Sequence, residues 1–328
     1  MDGENKLGTQ KIFKLVLSIA LPSMLAQFIA VLYNIVDRIF VGNIEGIGDL
    51  CLSAIGVSAP IITMISAFAF LIGIGGSPLL GIALGERNEE RAKKILSNAF
   101  MMLIGVSIIV TIIVLSIKEP MLKLFGASSN TYEYANEYFT IIASGTIFAL
   151  LSTGLSQYVL SQGYAKMAMI GVIIGAITNV ILDPIFIYVC HLGIQGAAIA
   201  TILSQFISAS ILLTFLLTKA NIKIGFKGYS FKLMLNIIKL GLSPFIIILL
   251  DNVVLIAFNS VLQAKGGVNG DLLISVNTIV QSFMLIVTMP LGGISGGTQC
   301  ILSYNYGSGD TKRVINAQMV IFLLCMTY

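Results

Sequence analysis

The stretch MAMIGVIIGAITNVILDPIFIYV, residues 167–189, indicates how the whole chain folds. A helix needs about 20 mostly apolar residues to cross the hydrocarbon core of a bilayer, and this stretch is long enough to do so. Its single charged residue is Asp183, with Asn179 one helical turn before it. Because lipid offers the backbone no hydrogen-bonding partner, we predict a membrane-spanning helix that carries a polar pair.

The composition of the rest of the chain agrees with this prediction. Of 328 residues, 57% are hydrophobic and 10% are charged, and the mean hydropathy is +0.97. A soluble protein carries about 25% charged residues, so this chain cannot cover a soluble surface. The composition also excludes intrinsic disorder, a coiled coil and a secreted disulfide scaffold. The net charge of +4 is expected to reflect basic loops beside the bilayer, so we expect no nucleic-acid partner.

The same apolar pattern recurs along the chain and predicts an all-α polytopic membrane protein. The predicted spans cover residues 13–41, 53–84, 99–117, 135–160, 167–189, 196–217, 240–262 and 272–304, and a ninth begins near Val314. With the N-terminus inside, 15 of the 19 basic residues fall in inside segments, three fall outside, and Arg38 lies near the outer end of the first span. The positive-inside rule therefore predicts a multi-pass protein of the cell membrane with a cytoplasmic N-terminus. The polar opening residues 1–4 do not resemble a cleaved signal peptide.

An internal repeat appears when the sequence is shifted by 222 residues. Pro22 then meets Pro244, and the identical pairs at glycine 75/297 and 85/307 and arginine 91/313 need no gap. We predict two parallel six-helix halves, a plan used by secondary transporters. The expected organisation is an N-terminal lobe over 1–218, a cytoplasmic linker over 219–239 and a partial C-terminal lobe over 240–328. The repeat also predicts that this chain is part of a longer protein and that it lacks the last helices of that protein.

A cluster of polar side chains in the first half is the candidate functional site. Helix direction places Asp37 and Asp183 at one depth in the outer part of the bundle, and ionisable groups inside a membrane are costly and usually functional. The further members of the predicted proton or cation coupling site are Asn179, Thr201, Tyr33 and Asn34. Two nearby carboxylates can hold one proton or one cation between them, and oxygen ligands suit a hard cation such as Na⁺ better than zinc or copper. The alternative is that these groups are structural hydrogen bonds that join helices.

Other polar residues in the spans leave two interpretations open. Asp251 lies in the middle of the seventh span, and Asn259 and Gln281 belong to the same half. They form either a substrate contact or second ion site, or neutral hydrogen-bonded groups at a helix interface. The glycine clusters at 73–78 and 292–297 indicate close helix packing and not a phosphate-binding loop. Four dispersed cysteines and a single histidine predict neither a zinc site nor a disulfide framework.

At the level of motifs, the chain resembles the multidrug and toxic compound extrusion (MATE) transporters, in their DinF-like or MepA-like branch. The motifs are TNVILDP (178–184), LPSM (21–24) with VDRIFVG (36–42), GIQGAAIAT (193–201), and the paired loops GERN (85–88) and GSGD (307–310). The resemblance covers the whole chain. It implies a cation site at Asp37, Asn179, Asp183 and Thr201 with Tyr33 nearby, and a bend of the first helix at Pro22.

The expected function is therefore an antiporter that exports drugs or organic cations in exchange for H⁺ or Na⁺ by alternating access. Its substrates would be small amphipathic or cationic compounds, and we expect a monomer with no cofactor and no enzymatic activity. A lipid-linked oligosaccharide flippase of the same superfamily is the first alternative, but it favours a cationic central cavity, whereas the spans hold a single arginine. A prenyltransferase-like membrane enzyme is the second, and it needs a second aspartate-rich motif that the sequence lacks.

Overall fold

The structure, a computed structural model, describes residues 2–266 and 270–328 and is helical throughout its regular elements in these ranges. The α-helices are α1 (Asp2–Thr9), α2 (Ile12–Gly42), α3 (Gly48–Gly85), α4 (Glu89–Ser116), α5 (Lys118–Leu124), α6 (Tyr132–Ser144), α7 (Thr146–Ser161), α8 (Ala165–Pro184), α9 (Gly193–Thr218), α10 (Phe231–Gly266), α11 (Gly270–Gly307) and α12 (Thr311–Thr327). One turn of π-helix, Ile185–Val189, follows α8 directly and is called the π-turn below. The prediction of an all-α fold is confirmed.

Long apolar helices make up most of the molecule. In the described ranges seven helices are long and apolar enough to cross a membrane, or eight if α6 and α7 form one span. The chain is thus a multi-pass membrane protein. The predicted span over 135–160 consists of two helices, α6 and α7, which meet at an angle of 54°.

The break between α6 and α7 falls at Gly145, where the local chemistry weakens the helix. Ser144 Oγ and Thr146 Oγ1 donate to backbone carbonyls of the preceding turn, at 2.6 and 2.7 Å. Such back-bonding competes with the helical hydrogen bonds and bends helices. Gly145 also packs directly on the side chain of Ile202, where a Cβ atom would collide. The bend therefore follows from three consecutive residues and from the packing of α9.

The repeat is visible in the helix bounds. Both ends of α3 shift by 222 residues onto both ends of α11, and the first residue of α4 shifts onto the first residue of α12. Helices α4 and α12 begin with the same type of cap. Asn88 Oδ1 accepts from Arg91 N at 2.9 Å, and Asp310 Oδ1 accepts from Arg313 N at 3.0 Å. A side-chain oxygen at this position satisfies a backbone N–H of the first turn. The same local chemistry thus starts the same helix in each half.

The halves meet through reciprocal contacts at glycine. A Cβ on Gly85 would collide with the carbonyl of Tyr304, and a Cβ on Gly307 would collide with the carbonyl of Ile82. Each member of the first contact is 222 residues from its counterpart in the second, so the halves are related by an approximate two-fold rotation. The missing side chains let α3 and α11 touch backbone to backbone. We call this end of the molecule, which also holds the basic loops, the basic end.

The connection between the halves is tied to the first half at the basic end. Because α10 begins at Phe231, the irregular part of the predicted linker is shorter, 219–230. The buried Asn98 donates to the Gly228 carbonyl (3.2 Å) and accepts from Ser230 N (2.9 Å). Gln162 makes a similar pair of bonds with the backbone of Ile222, at 3.3 and 2.9 Å. Buried side-chain amides therefore replace the regular hydrogen bonds that this segment lacks.

Candidate functional site

Two buried carboxyl groups from different helices form the centre of the site. Asp37 lies near the end of α2, and Asp183 is the penultimate residue of α8, with exposed fractions of 9% and 0%. The two groups lie close enough to hydrogen-bond directly when one of them carries a proton. The structure thus brings together the two acids that the sequence placed at one depth.

Asn179 completes the polar contact on α8. Its Nδ2 donates to Asp183 Oδ1 at 3.2 Å across one helical turn, and the side chain is fully buried. Among the described residues, three buried oxygens of this cluster have no hydrogen-bond partner: Asp37 Oδ1, Asn179 Oδ1 and Asp183 Oδ2. Buried oxygens without a partner are costly, so the arrangement favours uptake of a proton or of a hard cation. We call these three residues the carboxylate cluster.

Two tyrosines face the carboxylate cluster. Tyr33, one turn before Asp37, interacts electrostatically with both carboxyl groups. Tyr138 of α6 is buried and interacts with the same two groups, but the sequence analysis missed it. Nothing in residue spacing could identify Tyr138, because it reaches the cluster from a helix with no acid of its own at this position. Their hydroxyl groups can donate to a carboxylate or accept from a carboxylic acid.

The remaining predicted members of the coupling site lie at its margin. Thr201 is half-buried on α9, and its backbone carbonyl accepts from Ser204 Oγ at 2.7 Å. Within the described part of the chain, the Thr201 side chain has no hydrogen bond to the carboxylate cluster. Asn34 is exposed, and its amide donates to the Ala30 carbonyl at 2.6 Å. Its side chain interacts with that of Tyr33, which in turn interacts with the carboxyl groups of the cluster.

Pro22 lies inside a continuous helix. Helix α2 runs from Ile12 to Gly42 through the buried Pro22, which has no N–H for the carbonyl of Ser18. The next residue, Ser23, is buried with an unpartnered hydroxyl, and Gly297 of the second half packs against it so closely that a Cβ would collide. The predicted weak point of the helix is therefore also a contact between the halves.

A polar but uncharged cavity lies beside the carboxylate cluster. It has a volume of about 200 Å³ and is lined by Tyr33, Gln27, Ser156, Gln157 and Ser204 among others from α2, α3, α7, α8 and α9. A second cavity of about 230 Å³ lies between the halves and shares Gln27 and Gln157 with the first. Among the residues that the structure describes, neither lining includes a charged side chain. Tyr33 belongs to both the cavity wall and the surroundings of the carboxylate cluster.

In the second half, the structure describes only one of the three predicted site side chains, that of Asp251. Asp251 is exposed on α10, while its neighbour Asn252 is buried and donates to the Ile248 carbonyl at 2.8 Å. The side chains of Asn259 and Gln281 lie outside the described residues. In the part of the chain that the structure describes, no three histidine, cysteine or acidic side chains are placed to hold a metal ion together, and the four cysteines are free.

A buried ionisable cluster beside a polar cavity, within repeated membrane-spanning helices, is typical of a secondary transporter. Comparison with known proteins agrees with this class. The chain belongs to the MatE family, whose profile matches residues 22–185. Membership of this family makes it a membrane transporter and not an enzyme.

Curated relatives match almost the whole chain. The multidrug export protein MepA of Staphylococcus haemolyticus (strain JCSC1435) is 28% identical, over 96% of this chain and 71% of that protein. MepA of Staphylococcus aureus (strain NCTC 8325) is 24% identical, with the same two coverages.

Solved structures share the fold. An outward-facing multidrug resistance MATE family transporter of the MOP superfamily superposes with a TM-score of 0.89 at 24% identity, over 99% of this chain and 71% of that one. A MOP superfamily transporter from Pyrococcus furiosus Vc1 (DSM3638) superposes with a TM-score of 0.90 at 24% identity and the same coverages.

Proposed function

We propose that this protein is an antiporter that exports small amphipathic or cationic compounds from the cell in exchange for H⁺ or Na⁺. The observation that carries the proposal is that Tyr33 lines the cavity and also interacts with both carboxyl groups of the carboxylate cluster. Because Tyr33 contacts both the cavity and the carboxylate cluster, ion binding at the cluster can change the shape of the cavity wall. Substrate release and ion entry would then depend on one another.

The ion would bind at the carboxylate cluster. Two carboxylates in close contact and away from water cannot both remain charged without a counter-charge. The three unpartnered oxygens of Asp37, Asn179 and Asp183 supply ligands of the type that a hard cation prefers. A proton shared by the two acids would satisfy the same site. The proposal therefore accommodates both ions and assigns them the same residues.

Ion binding would act on the first helix. Asp37 is on α2, which also contributes Gln27 and Tyr33 to the cavity wall and contains Pro22. The carbonyl that Pro22 leaves without a partner gives the helix a position where it bends at low cost. An ion that draws Asp37 towards Asp183 would shift the balance between two shapes of this helix, and so between two shapes of the cavity.

The cavity indicates the class of substrate. Its lining offers hydroxyl and amide groups and the aromatic ring of Phe70, but no charged side chain. Such a wall suits compounds with a large apolar surface and a few hydrogen-bonding groups. It does not suit a diphosphate, for which a flippase of lipid-linked oligosaccharides would need cationic groups. We further propose a monomer in the cell membrane, with the basic end in the cytoplasm.

Dye efflux from lipid vesicles that contain the full-length protein tests the proposal, with pH and Na⁺ gradients imposed separately. Asp37→Asn and Asp183→Asn should each abolish gradient-driven efflux. The matched control is Asp49→Asn, at an exposed acid in the first turn of α3, which should export like the wild type. Wild-type efflux that ignores both gradients would refute the antiport mechanism. Full efflux by either cluster variant would remove that acid from the coupling site.

A further inference from the structure

The chain that follows Asp183 does not continue as an α-helix. Pro184 ends α8, and the π-turn Ile185–Val189 follows directly, closed by a hydrogen bond of 2.8 Å from Cys190 N to the Ile185 carbonyl. A π-turn inserts an extra residue into the helical path and changes the direction of the side chains in it. Such insertions are rare, and they occur frequently at functional sites. This one begins two residues after a member of the carboxylate cluster.

Tyr188, within the π-turn, bonds the helix that carries the other acid. Its hydroxyl donates to the carbonyl of Phe40 at 2.6 Å, and its ring packs edge-on against the Phe40 ring with centroids 6.4 Å apart. Phe40 lies three residues beyond Asp37, and Tyr188 lies five residues beyond Asp183. The two helical segments are therefore joined just past the two carboxyl groups.

The π-turn is also supported from behind. Gly196 of α9 packs against its backbone, so that a Cβ on Gly196 would lie 2.7 Å from the Phe186 carbonyl carbon and 2.9 Å from Ile187 N. Ile187 is buried, and Leu192 N donates to the Phe186 carbonyl at 3.0 Å. The π-turn is thus held between α9 and the end of α2. A displacement of the π-turn therefore changes its contacts with both helices.

We infer that Tyr188 is a positioning residue that sets the separation of Asp37 and Asp183, and with it the affinity of the proposed coupling ion. The inference rests on the proposed antiport function and assigns a role to a residue outside the carboxylate cluster. The hydroxyl holds the end of α2 against the π-turn, so that the two carboxyl groups face one another before the ion arrives. Without it, ion binding must also order this end of the helix, which lowers the apparent affinity.

Other charged and titratable groups face the same acids and remain in place when Tyr188 is changed. Tyr33 of α2 and Tyr138 of α6 interact with both acids, and Arg38 of α2 interacts with Asp37. A change of ion affinity on removal of the Tyr188 hydroxyl would therefore come from the geometry of the pair, because the charges around the pair stay the same.

The test is Tyr188→Phe in the full-length protein, which keeps the ring and removes the donor. Vesicle efflux is measured as a function of the ion that drives it. We expect the half-maximal ion concentration to rise about fivefold, the effect of losing one hydrogen bond, while the rate at saturating ion recovers. Tyr306→Phe, at an exposed tyrosine of α11, should leave the curve unchanged. A midpoint equal to that of the wild type would overturn the inference.

A second variant covers the case in which Tyr188→Phe does not fold. Gly196→Ala displaces the π-turn from the opposite side and keeps the Tyr188 hydroxyl, and it should raise the midpoint in the same direction. An unchanged midpoint in this variant also overturns the inference. Wild-type efflux that depends on neither ion overturns the proposed function itself, whereas ion-dependent wild-type efflux with unshifted variants overturns only the role of Tyr188.

Discussion

Asn179 holds Asp183 in place with a hydrogen bond between two fully buried side chains. We expect Asn179→Ala to lower the free energy of unfolding by about 0.5–1.5 kcal/mol, the net contribution of one hydrogen bond. The matched control is Asn43→Ala, at an exposed asparagine whose amide bonds only one turn back, to the Ile39 carbonyl. Thermal unfolding in detergent measures both, and a double-mutant cycle with Asp183→Ala isolates the contact. Equal losses in the two asparagine variants would contradict a specific role for Asn179.

Sequence position predicted the acids of the site better than their neighbours. An acid inside an apolar run stands out whatever its surroundings, so the sequence predicted Asp37 and Asp183, and the structure places their carboxyl groups side by side. Tyr33 and Asn34 have different surroundings, because the residues four and three positions before Asp37 turn away from it by about 40° and 60°, to opposite sides of the helix. Tyr33 therefore faces the carboxylate cluster while Asn34 is exposed. Tyr138 could not be predicted, since only tertiary packing brings α6 to the same place.

Helix α4 holds the connection between the halves through two buried side chains, Ser97 and Asn98. Asn98 bonds the segment 219–230 through both its amide group and its carbonyl oxygen, so Asn98→Ala would leave a carbonyl and an N–H without partners. We expect the free energy of local opening of this segment to fall by about 1–3 kcal/mol. Limited trypsin digestion at the exposed Lys223 and Lys227 measures this opening. Asn252→Ala removes another buried asparagine, one that bonds only its own helix, and this variant should be cleaved at the wild-type rate.

Helix existence and helix direction follow from the apolar runs, but the interruptions do not. Hydropathy is continuous through Gly145 and through the π-turn, so the apolar runs give no sign of an interruption at either place. The bend at Gly145 depends on back-bonding by Ser144 and Thr146 and on the approach of Ile202. The π-turn depends on Pro184 and on the contact with Gly196. Both therefore depend in part on packing neighbours, Ile202 and Gly196, that come from other parts of the chain.

At the scale of the molecule, the repeat determines how the basic end closes. Gly81 and Ser303 are equivalent residues, 222 positions apart, and they pack against one another, which places them at the approximate two-fold axis. The reciprocal contacts of Gly85 and Gly307 flank them. The N-terminal segment also contacts the second half, because Arg313 donates a hydrogen bond to the carbonyl of Gln10 at 2.9 Å. Alternating access to the basic end would require these contacts to separate together, because they form one surface.

The symmetry predicts that equivalent substitutions at this surface act alike. Gly85→Ala and Gly307→Ala each place a Cβ against a backbone carbonyl of the other half, and overpacking of this kind costs about 1–3 kcal/mol. We expect both variants to open the basic end and to raise the labelling rate of the buried Cys300, which lines a small cavity there, about tenfold. Labelling with a thiol reagent in a Cys190→Ser, Cys325→Ser background measures this. Gly105→Ala, where a Cβ meets open space, is the matched control. If only one of the two interface variants exposes Cys300, the halves do not close as equivalent partners.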